Sequence, residues 1–289
     1  MIFLIRRFLY FSILVFWIAV LVFSTRLVSQ AATQTSVPSS KTFPVFKEIE
    51  PNVDFWIDIF TKYSKAQGVL HDARDLSRVY KVIQLNPDNT RKAAKENQKT
   101  KKKAIKKYKA ILLKLAQGHA PASAKEKKTA ALFGSVPKAS TLGQAALNLR
   151  IQTGLKDQFK EGLVRSGALI DEFKRIFLSH GLPQDLAFLP CVESSFNVNA
   201  YSKFSAAGIW QFTRSTGKRY MEIGYVVDQR RDPYISTQGA ANLLKRNYSV
   251  LKNWPMALTA YNHGLNGMKR AKKKHQTYPR IYSDSVVSG

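Results

Sequence analysis

The sequence lacks most residue patterns of cofactor-dependent enzymes. Cys191 is its single cysteine, so no intrachain disulfide can form, and cysteine usage does not fix the redox compartment. No His/Cys group has zinc-ligand spacing, and no glycine-rich loop precedes a Lys-Ser or Lys-Thr pair. We therefore predict neither a metal nor a nucleotide cofactor.

Acidic residues are also scarce. The chain has 19 Asp and Glu against 46 Lys and Arg, a formal net charge of +27. This excess predicts an acidic partner: nucleic acid, an anionic membrane surface or a carboxylate-bearing polymer. Between Leu186 and Met221, Glu193, in the run LPCVESSF, is the only acidic residue.

The N-terminus indicates export. Arg6 and Arg7 precede an uncharged apolar run, residues 8–23, and the small residues Ser29 and Ala31 follow in a pattern typical of a signal-peptidase site. Residues 1–31 are thus a signal peptide or an N-terminal membrane anchor, and both interpretations stay open. Because the arginines place the N-terminal end in the cytoplasm, we expect a periplasmic or cell-envelope protein that meets no nucleic acid.

Composition divides the rest of the chain. Residues 32–52 are rich in Ser, Thr, Gln and Pro, which predicts a flexible tether. We interpret residues 53–138 as accessory helices and a Lys-rich linker. Asp54 and Asp75 are predicted to cap two amphipathic helices there. Inside the Lys run, a helical stripe predicts one buried face: Ile105, Tyr108, Ile111, Leu112 and Leu115.

Residues 139–271 are densely patterned and predict a mainly α-helical globular domain. Residues 155–177 form one helix or two helices broken near Gly167, and Pro183 opens the next. Further helices begin at Asp232-Pro233 and at Trp254-Pro255. Residues 272–289 have the composition of a tail, and a truncated domain is one interpretation of this ending.

Glu193 is the leading candidate for chemistry. A carboxylic acid that donates a proton near neutral pH needs a raised pKa, and burial beside apolar groups raises it. Leu186, Leu189 and Phe196 are spaced to share its helix face. Pro190 lacks an N–H and predicts a kink just before the acid. The alternative interpretation is an exposed or salt-bridged Glu on an ordinary helix.

Two later segments contain residues suited to binding. In AAGIWQF, residues 206–212, Gly208 permits a close backbone approach and Gln211 suits recognition of amide or hydroxyl groups. Trp210 and Phe212 fit a core better than a sugar platform. In LTAYNHG, residues 258–264, Tyr261 is placed to hydrogen-bond the Glu193 carboxyl.

The ordered motifs ESSF, AAGIWQF, DQRRDP and AYNHG resemble the lytic murein transglycosylases. Within this goose-type-lysozyme-like class, the sequence is most similar to the membrane-bound lytic transglycosylase D type, over about residues 145–271. The segment 55–72 also resembles accessory helices that precede the domain in some members. The resemblance implies a lysozyme-like helical catalytic domain preceded by an accessory helical region.

The resemblance also implies residue roles. Glu193 would be the sole catalytic acid and base, Ser194 would help position substrate, and Asn262 would support the turn at Tyr261. Tyr261 would hold Glu193. The groove would be lined by Gln211 and by the backbone around Gly208 and Ile209.

The implied reaction is that of a carbon–oxygen lyase on peptidoglycan glycan strands. Glu193 would protonate the oxygen of the MurNAc-β-1,4-GlcNAc bond and then take the proton of the muramic C6 hydroxyl. A 1,6-anhydro ring would close without water, whereas most glycosidases use two carboxylates. The inner membrane, if residues 1–31 are retained, and other cell-wall proteins are further candidate partners.

Other functions stay open. A goose-type lysozyme would hydrolyse the same bond, and a non-catalytic peptidoglycan-binding scaffold would cleave nothing. A mechanism with two carboxylates would need a second acid besides Glu193, and the candidates are Asp185, Glu222, Asp228 and Asp232. Cys191 is a rival nucleophile, but neither His180 nor His263 stands in a recognisable pairing pattern with it.

Overall fold

The computed structural model describes residues 41–281, which form two compact units. One unit is residues 57–157, and the other combines residues 41–56 with residues 158–281. The predicted signal or anchor lies outside the described residues. Within residues 41–281, no helix has the length and apolar character needed to cross a bilayer.

The unit of residues 57–157 contains a small antiparallel sheet and three helices. Helix α1, Glu50–Thr61, contains the boundary between the units. The sheet has strand order β2-β1-β3, with β1 in the centre. The strands are β1 (Gln67–Asp72), β2 (Val79–Gln84) and β3 (Leu149–Thr153), and the helices are α2 (Arg91–Ala116), α3 (Ala124–Ala131) and α4 (Ala139–Leu147).

The core of this unit lies between α2, α4 and the sheet. Leu70 of β1, Leu112 of α2 and Leu142 of α4 are almost fully buried in one cluster. The predicted stripe on α2 is confirmed, because Tyr108, Ile111, Leu112 and Leu115 are buried and Ile105 is packed against the cluster. Burial of this stripe stabilises a helix whose other sides are charged.

The second predicted accessory helix is wrong, because its residues form β2. Val79, Tyr80, Val82 and Ile83 are β-branched or aromatic and suit a strand, and Val82 pairs with Val69 of β1. Asp75 does not cap a helix. Its carboxylate accepts the Ser77 N–H (3.2 Å) and closes the turn that enters β2.

The Lys-rich segment is also more ordered than a linker. Helix α3 begins with a capping box, in which Ser123 and Glu126 each accept a backbone N–H of the other. Glu126 also pairs with Lys114 of α2 at 2.9 Å. Residues 139–157 lie in this unit, and not with the domain expected to begin at residue 139, because β3 pairs with β1.

The second unit is helical, which confirms the predicted fold class. The segment at residues 155–177 forms two helices with the break near Gly167. Its helices are α5 (Lys156–Ser166), α6 (Ile170–Ser179), α7 (Pro190–Glu193), α8 (Arg214–Gly217), α9 (Pro233–Leu251), α10 (Trp254–His263) and α11 (Leu265–His275), with 3-10 helices at Lys47–Ile49, Gln184–Phe188 and Gln229–Arg231.

Aromatic residues fill the centre of this unit. Phe173 contacts Phe196 at 5.9 Å and Trp210 at 6.0 Å between ring centroids, and Phe177 contacts Trp210 at 5.7 Å. Trp210 is fully buried, and its indole N–H donates to Thr237 Oγ1 (2.7 Å). Trp210 and Phe212 are therefore core residues, as their sequence context predicts.

The ends of the described chain are packed. Phe43 and Ile49 are buried, so residues 41–52 are not the predicted flexible tether. Because α1 begins at Glu50, Asp54 lies inside the helix and does not cap it. The predicted tail is also wrong as far as residue 281: α11 runs to His275, and Tyr278 and Ile281 are buried.

Candidate active site

Glu193 lies at the end of a short helix that proline begins. The 3-10 helix Gln184–Phe188 leads into α7, whose first residue is Pro190. The change of helix type falls where the missing proline N–H predicts an interruption. Leu186 and Leu189 of this segment are fully buried, whereas Glu193 is partly accessible.

The chain turns sharply after Glu193. Ser195 and Phe196 have φ angles of 53° and 54°, which non-glycine residues rarely adopt. Helix α5 holds this turn: Arg165 Nε donates to the Ser195 carbonyl (2.8 Å), and a Cβ at Gly162 would lie 3.1 Å from the Ser195 Cα. Such backbone strain persists only where neighbouring contacts fix the conformation, and it is common at functional sites.

The environment of Glu193 favours its protonated form. Loss of hydration on burial raises the pKa of its carboxyl to about 7, and a hydrogen bond from Asn262 Nδ2 to Oε1 (3.1 Å) partly opposes this shift. No other Asp or Glu of residues 41–281 contributes to the raised pKa. The carboxyl is thus placed to donate a proton near neutral pH and to accept one afterwards.

The segment of residues 200–212 lies beside Glu193, and we call it the groove wall after the groove that the resemblance implies. Ser194 Oγ donates to the Ile209 carbonyl (2.8 Å), and the Tyr261 hydroxyl donates to the Trp210 carbonyl (2.7 Å). These two hydrogen bonds join the groove wall to the residues next to Glu193 and Asn262. The side-chain amide of Gln211 donates to the Gly208 carbonyl (2.8 Å), within the groove wall itself.

A buried arginine fixes the groove wall from behind. Arg230 is 3% exposed, and its Nη1 donates to the carbonyls of Ser205 (2.7 Å) and Phe212 (3.1 Å). Its Nε and Nη2 donate to both oxygens of Asp228, at 2.8 and 2.6 Å. This bidentate contact holds the pKa of Asp228 below its ordinary value.

Gly208 permits the close approach of these two segments. Its φ angle is 76°, and a Cβ at this position would lie 1.8 Å from the Arg230 carbonyl oxygen. No L-residue side chain fits there without moving backbone. The close backbone approach predicted at Gly208 is therefore to the Arg230 carbonyl.

The structure brings the predicted site residues together, but Glu193 is contacted by Asn262 and not by Tyr261. The predicted hydrogen bond from Tyr261 to Glu193 is wrong, because the Tyr261 hydroxyl donates to the Trp210 carbonyl. Asn262 contacts the acid instead. Tyr261 still lies near it, since burial and then the Glu193 charge raise the Tyr261 pKa well above its ordinary value.

The other candidate groups have different environments. Asp228 binds Arg230, and Asp232 accepts the N–H groups of Tyr234 and Ile235 at 2.8 Å as the cap of α9. Burial raises the pKa of the Cys191 thiol to about 12, so the thiol stays protonated and is a poor nucleophile. Within residues 41–281, no cluster of His, Cys, Asp and Glu has metal-binding geometry.

Arg165, Gly162 and Arg230 are contributors that sequence reasoning does not identify. Arg230 lies in the DQRRDP motif, but nothing in that motif reveals which arginine is buried. A glycine inside the amphipathic α5 is a weak signal of close packing. All three act through backbone contacts between distant segments, which local patterns do not encode.

Comparison with known proteins finds a family model similar to the part of the chain that contains this site. Residues 178–283 match the family described as "Transglycosylase SLT domain". We call these matched residues the SLT domain, after the family to which they are similar. The SLT domain contains Glu193, Asn262, Arg230 and the groove wall, whereas Gly162 and Arg165 precede it.

Two curated relatives align with about a third of this chain. The "Membrane-bound lytic murein transglycosylase D" of Escherichia coli (strain K12) is 38% identical over 97 residues, which are 33% of this chain and 22% of the relative. A protein of Alteromonas sp. (strain M-1), named for tributyltin chloride resistance, is 34% identical over 105 residues, 35% of this chain and 51% of the relative. The chain thus aligns with only part of the length of either relative.

Proposed function

We propose that the chain is a peptidoglycan lytic transglycosylase of the cell envelope. It cleaves the MurNAc-β-1,4-GlcNAc bond without water and leaves 1,6-anhydro-MurNAc ends. The observation that carries this proposal is one partly accessible carboxyl, Glu193, with a pKa near 7 inside an SLT domain. The murein transglycosylase activity named for the E. coli relative supports the same reaction.

In this reaction Glu193 acts twice. Protonated, it donates its proton to the glycosidic oxygen as the bond to the muramic C1 breaks and positive charge develops on the sugar ring. As a carboxylate, held by the Asn262 amide, it then takes the proton of the C6 hydroxyl. The C6 oxygen bonds to C1 and closes the anhydro ring, so the proton balance of Glu193 is restored.

The other site residues position the glycan strand. Ser194 is tied to the Ile209 carbonyl, and Gln211 is tied to the Gly208 carbonyl. The groove wall therefore presents its remaining polar groups at fixed positions beside Glu193. A preorganised wall of this kind lowers the entropy cost of aligning the C6 hydroxyl with C1.

Replacement of the acid tests catalysis against scaffolding. Glu193→Gln keeps the size of the side chain but removes the proton donor, and we expect clearing of a sacculus suspension to fall at least about 100-fold. Sacculus pelleting by the variant should stay at the wild-type level. Equal binding with no clearing by either protein would favour a peptidoglycan-binding scaffold.

A further inference from the structure

Lysines from three elements meet on the surface of the unit of residues 57–157. Lys81 lies on β2, Lys107 on α2 and Lys125 on α3. Contacts beside these lysines join the three elements: the rings of Tyr80 on β2 and Tyr108 on α2 are 6.0 Å apart, and Lys114 of α2 pairs with Glu126 of α3 at 2.9 Å. Lys81 and Lys107 are exposed, and Lys125 is partly exposed.

These charges repel one another. The contact with Lys107, and to a smaller degree the charge of Lys81, lower the pKa of Lys125. None of the ion pairs within residues 41–281 includes any of the three lysines. Glu126, the neighbouring acid, pairs with Lys114 and accepts the N–H groups of Ala122 and Ser123. The described protein thus leaves the cluster without a counter-charge.

The cluster is part of a longer basic surface on a fixed backbone. Lys99 and Lys103 precede Lys107 by two turns and one turn on the same side of α2, and both are exposed. The buried stripe of α2 and the capping box of α3 hold the helices that carry them. We call this surface the lysine face: Lys81, Lys99, Lys103, Lys107 and Lys125.

The composition of the lysine face distinguishes between anionic partners. A helix that inserts into a bilayer needs an exposed apolar side, but the apolar stripe of α2 is buried within its own unit. Proteins that bind single-stranded nucleic acid combine positive charge with exposed aromatic rings, and Tyr108, the one aromatic residue of α2, is buried. A flexible polymer with repeated carboxylates requires only an array of positive charge.

We propose that the lysine face binds the carboxylates of peptidoglycan stem peptides. The proposal rests on the proposed function, which supplies the polymer, and assigns the unit of residues 57–157 a role in holding it. Each lysine–carboxylate contact at an exposed surface is weak, but several contacts on one chain act together. The lysine face thereby raises the local concentration of glycan strands for the SLT domain.

Sacculus binding by paired charge variants tests this assignment. The full chain carries Glu193→Gln so that the polymer stays intact. The test variant adds Lys81→Gln, Lys107→Gln and Lys125→Gln. The control adds Lys95→Gln, Lys102→Gln and Lys109→Gln, the same charge loss at exposed positions on other sides of α2.

At low salt we expect the test variant to bind sacculi on the order of tenfold more weakly, and the control no more than about twofold. Amidation of the stem carboxylates should abolish the difference. Both variants should keep the parent melting temperature, and Lys125→Gln alone should show a partial loss.

Three results would overturn the assignment. The two triple variants could lose binding equally, the difference could survive amidation, or the test variant could lose affinity for phosphatidylglycerol vesicles and not for sacculi. Because these assays use an inactive chain, they do not depend on the reaction products. If the active chain released no anhydro ends but sacculus binding still depended on the lysine face, the proposed function would be contradicted and the lysine face would not.

Discussion

Two opposing effects set the pKa of the Glu193 carboxyl. Burial disfavours the carboxylate, and the Asn262 amide favours it, so the pKa settles at about 7. A general acid that must later act as a base works best when its pKa lies near the working pH. The contact that sequence reasoning assigned to Tyr261 therefore belongs to the neighbouring residue, on the same turn of α10.

The rate should follow the protonation of Glu193. In the proposed mechanism the first step uses the protonated acid, so kcat/KM should fall as pH rises above about 7, with a slope of one proton. Initial rates of anhydro-muropeptide release between pH 5 and pH 9, at constant ionic strength, measure this limb. A rate that stays constant through pH 9 would contradict the assignment of Glu193 as the acid.

Removing the Asn262 amide should shift the pH at which kcat/KM begins to fall. The amide stabilises the carboxylate, so Asn262→Ala should shift the alkaline limb to higher pH and lower the rate by about tenfold. Tyr261→Phe is the matched control, because it removes the bond to the Trp210 carbonyl. We expect it to cost about 1 kcal/mol of stability without an alkaline shift of the limb. Identical pH profiles for Asn262→Ala and wild type would refute the role of the amide.

The raised pKa also predicts a pH-dependent stability. Between about pH 4.5 and 7 the unfolded chain releases the Glu193 proton while the folded chain keeps it, so ionisation increasingly destabilises the fold. Glu193→Gln should therefore be more stable than wild type by up to about 3 kcal/mol above pH 7, and the difference should shrink toward pH 4.5. Denaturant unfolding of both proteins at several pH values checks this, and a difference independent of pH would contradict it.

At the scale of elements, the groove wall depends on contacts from segments that are distant in sequence. Arg230 supports its back, Ser194 and Tyr261 support its front, and Gly208 allows the approach of the Arg230 carbonyl. The motifs predict that these segments matter but not how they contact one another. The contacts of Arg230, Ser194 and Tyr261 are side-chain-to-backbone hydrogen bonds, whose acceptors carry no signal in the sequence.

Gly208→Ala tests the tightest of these contacts. Its left-handed φ and the 1.8 Å approach to the Arg230 carbonyl predict a loss of at least about 2 kcal/mol. Gly167→Ala is the control, since a Cβ there meets only the Val164 carbonyl at an ordinary 3.4 Å. Denaturant unfolding that shows equal stability for the two variants would contradict the packing described here.

Prediction of elements succeeded where periodicity and capping agreed. The cap and proline at Asp232-Pro233 predict the start of α9, and the break near Gly167 separates α5 from α6. It failed at β2, where residues at helical spacing are β-branched or aromatic and tertiary pairing with β1 decides the structure. Such pairing lies beyond local sequence.

At the scale of the whole molecule, the lysine face and the candidate acid lie in different units. The unit of residues 57–157 contains the lysine face, and the SLT domain contains Glu193, whose pKa is about 7. The net charge of +27 suits a polymer with acidic peptide stems. The composition predicts an acidic partner, but only the structure locates the uncompensated lysines.

The central claim concerns the fate of the muramic C1 atom, and labelled water tests it directly. Purified sacculi are digested by the wild-type chain in water enriched in oxygen-18, and the masses of the released muropeptides are measured. The account predicts 1,6-anhydro ends without the label, because the C6 hydroxyl attacks C1. Reducing ends that each carry one oxygen-18 atom would show hydrolysis and contradict it.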